Sequence, residues 1–354
     1  MIELFSGAGA RVFGGARFTL INVLPAVLLA IVIAGAYRSN LYDAHRPVDL
    51  SAALPTGWLA VQLGFAGLLI GVIAQPFQVA VVRLLEGYGW DRWLPSLLSG
   101  MAIERQHRRR ARAELLQQAV AVATPGASAA AAARNARAKV RQSRIVAAAR
   151  ARLIQYPTRD DRIMPTTLGN VLRAGEDSAG GRYGLMSMTV YPRMYPFLSD
   201  KLDKAISRQL DLIDATSALC LAFAAAALAT LPVVVIRHDW WSLLPAGLAA
   251  SSWLCYRSAL NAAKDHGTLF ATAFDLHRFD LIKNLHYPLP ETVEQEWKFN
   301  RALSRFLQRG DPVFYPAHLA DQLAASRDLD ILREIRYLHS QNPDDRSGGT
   351  ADQA

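Results

Sequence analysis

Thirty-three consecutive residues, Leu50–Val82, contain no Asp, Glu, Lys, Arg or His. The apolar body of this run, Trp58–Val82, has 25 residues. As an α-helix rising about 1.5 Å per residue it is roughly 37 Å long, enough to cross a hydrocarbon core of about 30 Å with some tilt. A helix on the surface of a water-soluble core carries polar residues on at least one face. The run therefore predicts a transmembrane helix, and each remaining segment is read by the side of the bilayer on which it falls.

Three more charge-free runs meet the same test: Phe18–Tyr37, Ala215–Ile236 and Trp240–Tyr256. The expected fold class is all-α: a polytopic membrane protein with four transmembrane helices (18–37, 57–82, 215–236, 240–256) and mostly helical cytosolic segments. Trp240 and Trp241 at one end of the last run, and Trp253 and Tyr256 at the other, fit the two interfacial belts. The first run has a rival reading as a secretory signal cut after Ala34-Gly35-Ala36. It is long for a signal and contains Asn22 and Pro25, which favours a span. Composition agrees with a membrane protein: 51% hydrophobic and 19% charged residues against about 25% charged in ordinary soluble domains.

Lys and Arg near span ends favour the cytosol. Nine of them flank the spans on the side of segments 1–17, 83–214 and 257–340, against three in the loops 38–56 and 237–239. Both termini and the long central segment are thus expected in the cytosol of a bacterial cell, with the two short loops outside the inner membrane. The tail 341–354 is polar and expected to be disordered.

The central segment is basic. Residues 101–153 hold eleven Arg and one Lys against Glu104 and Glu114, a net +10 beside +9 for the whole chain. Pro and Gly at Thr124-Pro125-Gly126 divide it into two helices, expected to project from the membrane as a hairpin. Beyond it, Thr166–Arg173 starts a short helix, Asp177–Gly184 reads as a Gly-rich turn, and Leu202, Ile206, Leu210 and Ile213 mark an amphipathic helix. After the fourth span an amphipathic pattern (Leu260, Ala263, Phe270, Phe274, Leu281, Ile282) runs to Pro288. Thr292 with Gln295 predicts a capping box, Gly310 a stop, and His318–His339 a last helix.

Several features carry candidate roles. Gly67 and Gly71 in the second span, Ala218 and Ala222 in the third, and Gly247 and Ser251 in the fourth are small residues spaced for helix packing, expected chiefly within the chain and secondarily in a homo-oligomer. Gln75-Pro76-Phe77-Gln78 predicts a kink, since Pro76 frees a carbonyl one turn earlier; Gln75 and Gln78 either satisfy it or line a polar, gating path. Arg105, Arg108, Arg109, Arg110, Arg112, Arg141 and Arg144 are candidates to meet an anionic partner, acidic lipid headgroups first. Nucleic acid is disfavoured because no aromatic residue interleaves the arm. His266 and His277 share a helix face, but their spacing matches no metal signature, and solvated positions are expected. Cys220 and Cys255 are expected to be free thiols. No G-x-S-x-G, Walker loop or CxxC appears, and neither a catalytic residue nor a cofactor is assigned.

The run PTTLGNVLRAGED at residues 165–177, RYG at 182–184, YPR at 191–193, LLEGYGW after the second span and LPETVEQE at 289–296 together resemble a group of uncharacterised bacterial four-span membrane proteins. The likeness covers residues 84–310. It implies the four-span architecture and brings no activity with it. The functional expectation is a non-enzymatic membrane protein that scaffolds, senses or regulates through its cytosolic helices. The alternative is an oligomeric channel or pore-forming effector gated by them.

Overall fold

The computed structural model describes residues 19–53, 57–90, 96–118, 129–311 and 331–334. The N-terminal segment, the Thr124-Pro125-Gly126 break, most of the last expected helix and the tail lie outside the described residues. Those described are helical, with no strand among them. The helices are α1 (Leu24–Arg38), α2 (Gly57–Ala74), α3 (Gln78–Glu86), α4 (Ser96–Gln118), α5 (Ala129–Leu153), α6 (Thr167–Gly181), α7 (Ser187–Met194), α8 (Asp200–Thr230), α9 (Leu244–Asn284) and α10 (Val293–Arg309).

Three helical stretches are long and apolar enough to cross a membrane: Ile21–Arg38, Gly57–Glu86 and Asp200–Ile236. They bury little of that surface. On α2 the side chains of Trp58, Val61, Phe65, Leu69 and Ile73 all face outward, a contiguous apolar face that suits lipid rather than water. The fourth expected span, 240–256, forms a 3₁₀ turn at Trp240–Leu243 and the beginning of α9. Ser242, Ser251, Ser252, Trp253 and Tyr256 dilute its hydropathy, and it is not among the three.

Helices α8 and α9 are the backbone of the molecule. At 31 and 41 residues they run about 46 and 60 Å and pack against each other. Each passes without interruption from an apolar half into an amphipathic half. The amphipathic halves, with α7 and α10, enclose a core of Tyr191, Met194, Ile206, Phe270, Phe274, Leu281 and Leu303. Where apolar and amphipathic halves meet, Val82, Leu168, Val171, Ile213, Ala259 and Ala263 form a second core.

The end caps follow from sequence. Thr166 caps α6 by accepting from Gly169 N at 3.0 Å. Thr292 caps α10 by accepting from Gln295 N, while the Gln295 side chain accepts from Glu291 N. Gly310 ends α10 at φ 76°. One expectation fails here. Asp177–Gly181 is the last part of α6 rather than a turn, and only Arg182–Gly184 turns. Gly175 and Gly180 are helical because tertiary contacts need their bareness: a Cβ on Gly175 would stand 3.0 Å from Gly267 Cα, and one on Gly180 2.8 Å from the Leu185 carbonyl oxygen. Packing overrides their poor helix propensity.

At the far end of the apolar helices, Arg237 is 6% exposed. Its guanidinium donates to the carbonyls of Leu41 (3.0 Å), Asn40 (2.8 Å), Asp43 (2.6 Å) and Arg46 (2.7 Å) and pairs with Asp239 at 3.1 Å. Tyr42 adds a bond to the Ala229 carbonyl. A planar fork of five donors suits such a cluster of carbonyls. The three-residue hairpin expected at 237–239 is therefore the anchor of the 38–49 loop.

Candidate functional site

The resemblance runs are where the amphipathic helices are fastened to the apolar ones. Helix α3 stops because Gly87 takes φ 94° and returns its N–H to Arg83 and Leu84. Above that stop sits the N-terminus of α6. Thr166 Oγ1 donates to the Glu86 carbonyl at 2.8 Å. Gly169 lies so close that a Cβ would stand 2.2 Å from the same oxygen. Asn170 is fully buried and staples the entry loop: its Oδ1 accepts from Met164 N, and its Nδ2 donates to the carbonyls of Met164 and Thr166. Tyr256 Oη meets Leu168 N at 3.1 Å. In RYG, Tyr183 bonds Asp275 at 2.7 Å under the guanidinium of Arg278, and Gly184 turns at φ 77° against Trp297. Arg278 in turn pairs with Glu296 at 2.8 Å. Tyr191 of YPR is 1% exposed and packs on Phe270 at 4.8 Å between ring centroids.

Beneath this junction lies a cavity of about 290 Å³. Helix α3 contributes Val82, Arg83 and Glu86; α6, Leu172 and Glu176; α7, Met188 and Tyr191; α8, Ile206, Leu210, Ile213 and Asp214; α9, His266 and Phe270. Glu86 lies one turn past Val82, where the apolar body of its helix ends. It is 7% exposed. Burial, reinforced by the charge of Glu176, raises its pKa to about 7 against the opposing pull of Arg83 and Arg173. Burial also raises the Glu176 carboxyl, despite Arg162 and Arg173. His266 is stacked on Phe270, its Nδ1 enclosed and without a hydrogen-bond partner among the described residues. Burial lowers its pKa to about 4, so the ring is neutral at pH 7. The result is an apolar pocket with one buried carboxyl, Glu86, two half-buried ones, Glu176 (3.8 Å from the Arg162 guanidinium) and Asp214, a neutral imidazole and one guanidinium. Among the described residues no three His, Cys, Asp or Glu side chains are grouped to hold a metal ion.

A second cavity of about 280 Å³ lies between α1, the α2–α3 helix and α8. Ala218 and Ala222 line it, with Gln78 and Asn22, whose side chains hydrogen-bond each other. Asp214 borders both cavities.

The remaining sequence candidates fall as follows. Gly67 and Gly71 are buried against α1 and the turn just before it, where an added Cβ would collide with Val27 at Gly67 and crowd Val23 at Gly71. Gly247, in contrast, faces open space, and Ser251 only bonds back to its carbonyl; the helix contact there runs through the neighbouring Ser252, which donates to the Cys220 carbonyl. Gln75, Pro76 and Phe77 form a 3₁₀ turn separating α2 from α3, with Gln75 half-buried. Both cysteines are free thiols. Arg105, Arg108, Arg109, Arg112, Arg141 and Arg144 are exposed on α4 and α5, Arg108 pairing with Glu104. Arg110 departs from the expected anionic-partner surface: it is bound by Glu114, Asp160 and the carbonyls of Pro157 and Thr158. Gln106, buried, ties α4 to Pro165 and Tyr156. Helix α4 is thus fastened to the junction rather than free along its length.

Glu86 and Glu176 were not singled out by the sequence, and His266, expected to be solvated, has a buried ring nitrogen. Each comes from a different segment, and His266 in particular fits a solvated position until α9 is seen to turn it under α6. Comparison with family models, curated proteins and solved structures finds no match to the chain.

Proposed function

We propose that this chain is a non-enzymatic regulator, sensor or scaffold of a bacterial inner membrane, with four spans and both termini in the cytosol. One observation carries the reading. Helices α8 and α9 are continuous from their apolar halves into the core of the amphipathic halves, so a displacement in the bilayer moves the cytosol-side helices as the same rigid rods. The segment 240–256 acts as the fourth span in this reading, since it runs beside α8 and its Ser252 is satisfied by Cys220. The likeness of the residue 165–193 runs to uncharacterised four-span proteins agrees with it. The exposed arginines of α4 and α5 are the surface for acidic headgroups or a protein partner, with nucleic acid disfavoured. Proteoliposomes carrying the full chain are expected to leave ion conductance at the level of empty vesicles.

The second reading is an oligomeric channel, favoured by the cavity between α1, α2–α3 and α8, whose mostly apolar wall carries Asn22, Gln78 and Asp214. It predicts the opposite result: conductance above empty vesicles that falls in Gln78→Leu.

A further inference from the structure

The exposed face of α4 carries two chemistries side by side. At about 100° per helical residue, Leu97, Met101, Arg105, Arg108, Arg112 and Leu115 fall within an arc of about 80°. Ser99, Gln106 and Ala113, the buried residues of this helix, lie on its opposite side. Leu97, Met101 and Leu115 are 77%, 68% and 64% exposed, and the three arginines are exposed with them. Among the described residues only Arg108 of the three has an ion-pair partner, the exposed Glu104. The other acid of α4, Glu114, is taken by Arg110. Three large apolar side chains and three guanidiniums thus share one uncovered face.

That face is held beside the end of a membrane-length helix. Pro165 makes the link. A Cβ on Gly87, the stop of α3, would stand 2.4 Å from Pro165 Cγ, and the Gln106 side chain donates to the Pro165 carbonyl at 3.3 Å. The middle of α4 is therefore one residue removed from the end of the α2–α3 helix. Tyr88 and Trp90 follow that end directly, and the Trp90 indole turns back to donate to the Leu84 carbonyl at 2.9 Å. Aromatic rings with one polar edge gather at headgroup level. A polyanion in solution would meet the guanidiniums and leave the three apolar side chains in water. An acidic protein would meet the same charges, but nothing fastens it at the level of α3. An anionic leaflet takes both chemistries, since headgroups receive the charges and the acyl boundary receives the apolar side chains. We propose that this face of α4 lies on the cytosolic leaflet, with Arg105, Arg108 and Arg112 at anionic lipid headgroups and Leu97, Met101 and Leu115 at the acyl boundary. The inference rests on the regulator reading above, which puts α4 in the cytosol, and it selects lipid over protein as the partner of these arginines.

The test is a bimane label on Met101→Cys, in a full chain with Cys220 and Cys255 changed to Ser, quenched by acrylamide in two kinds of nanodisc: pure phosphatidylcholine, and phosphatidylcholine with one-third phosphatidylglycerol. The quenching constant is expected to fall at least twofold in the anionic discs, and the fall is expected to shrink in high salt. The same label on His238→Cys, at the far end of the apolar helices, is expected to be quenched equally in both. Changing Arg105, Arg108 and Arg112 together to Gln, all at exposed positions, is expected to abolish the fall at Met101→Cys. Leu97→Ser with Leu115→Ser, the charges intact, is expected to remove at least half of it. Equal quenching of the Met101→Cys label in the two discs, or a fall that survives the arginine changes, overturns the proposal. So does a fall of the same size in phosphatidylcholine discs on adding oligothymidylate or polyglutamate, which would assign the face to nucleic acid or to an acidic protein. The regulator reading is judged separately, by vesicle conductance and by sidedness of His238→Cys labelling. Equal quenching with the expected sidedness therefore removes the lipid face and leaves the regulator standing.

Discussion

Gly175 in α6 and Gly267 in α9 meet backbone to backbone: the Cα of Gly267 is 3.0 Å from where a Cβ on Gly175 would stand, and Gly175 Cα is 3.2 Å from the reciprocal point on Gly267. This contact sets how closely α6 lies over the cavity. Gly175→Val is expected to push the helices apart at a cost of about 1–3 kcal/mol, read as a lower melting temperature in detergent. Gly181→Val, in open space near the end of the same helix, is the control for helix propensity alone and is expected to cost well under that.

Glu86 and His266 give the fold opposite pH dependences. Glu86, raised to about 7 from 4.5, binds more protons folded than unfolded, so its contribution is present below pH 4.5 and fades as pH rises through 7. His266, lowered to about 4 from 6.5, binds fewer protons folded, so its contribution is present above pH 6.5 and fades as pH falls through 4. Between about pH 4.5 and 6.5 the two slopes largely cancel. Between pH 6.5 and 8 the wild type is expected to lose stability with rising pH, and Glu86→Gln is expected to flatten that limb in a pH series of thermal melts. His266→Gln is expected to flatten the limb below pH 4.5 instead.

Arg237 satisfies four loop carbonyls with one guanidinium. A lysine there has three donors and no fork. Arg237→Lys is expected to loosen residues 38–49, seen as faster proteolysis of that loop, and to cost about 2–3 kcal/mol through carbonyls left unpaired. Equal protease resistance in wild type and variant would remove Arg237 from this role.

Asn22 and Gln78 satisfy each other within the apolar helices. Removing one partner strands the other, so Gln78→Leu is expected to destabilise by about 1–2 kcal/mol and the Asn22→Leu, Gln78→Leu double variant by less than either single change. Additive losses across this cycle would mean the two side chains do not depend on each other.

For sidedness, His238 is exposed beside the Arg237 anchor and is a better reporter than Asp239, which caps Trp241 N and pairs with Arg237. His238→Cys, in a chain with Cys220 and Cys255 changed to Ser, is expected to react with a membrane-impermeant maleimide in intact cells. Labelling only after the membrane is opened would invert the proposed topology.

The sequence made the long apolar helices and the amphipathic halves of α8 and α9 readable, because absence of charge and a spacing of three to four are local signals. The cap at Thr292 and the stop at Gly310 were readable for the same reason. The glycines near the end of α6 misled: Gly180 looks like a turn residue until Leu185 is in place. The cavity was hidden more thoroughly. Glu86 reads as one acid after a span, Glu176 as part of a glycine-rich stretch, and His266 as solvated; only five helices folded together bring them onto one wall. The basic arm was legible as charge, but the capture of Arg110 by Asp160 and two carbonyls, across some 50 residues, was not.

The Arg237 anchor also bears on biosynthesis. The carbonyls it captures precede it by 191 to 197 residues. At about 5–20 residues per second, a ribosome takes roughly 10–40 s to deliver the arginine after the loop has emerged. Throughout that interval the loop between the first two apolar helices lacks its anchor. Nascent chains stalled before residue 237 are therefore the ones that a membrane protease should recognise, and release past that point is what closes the molecule.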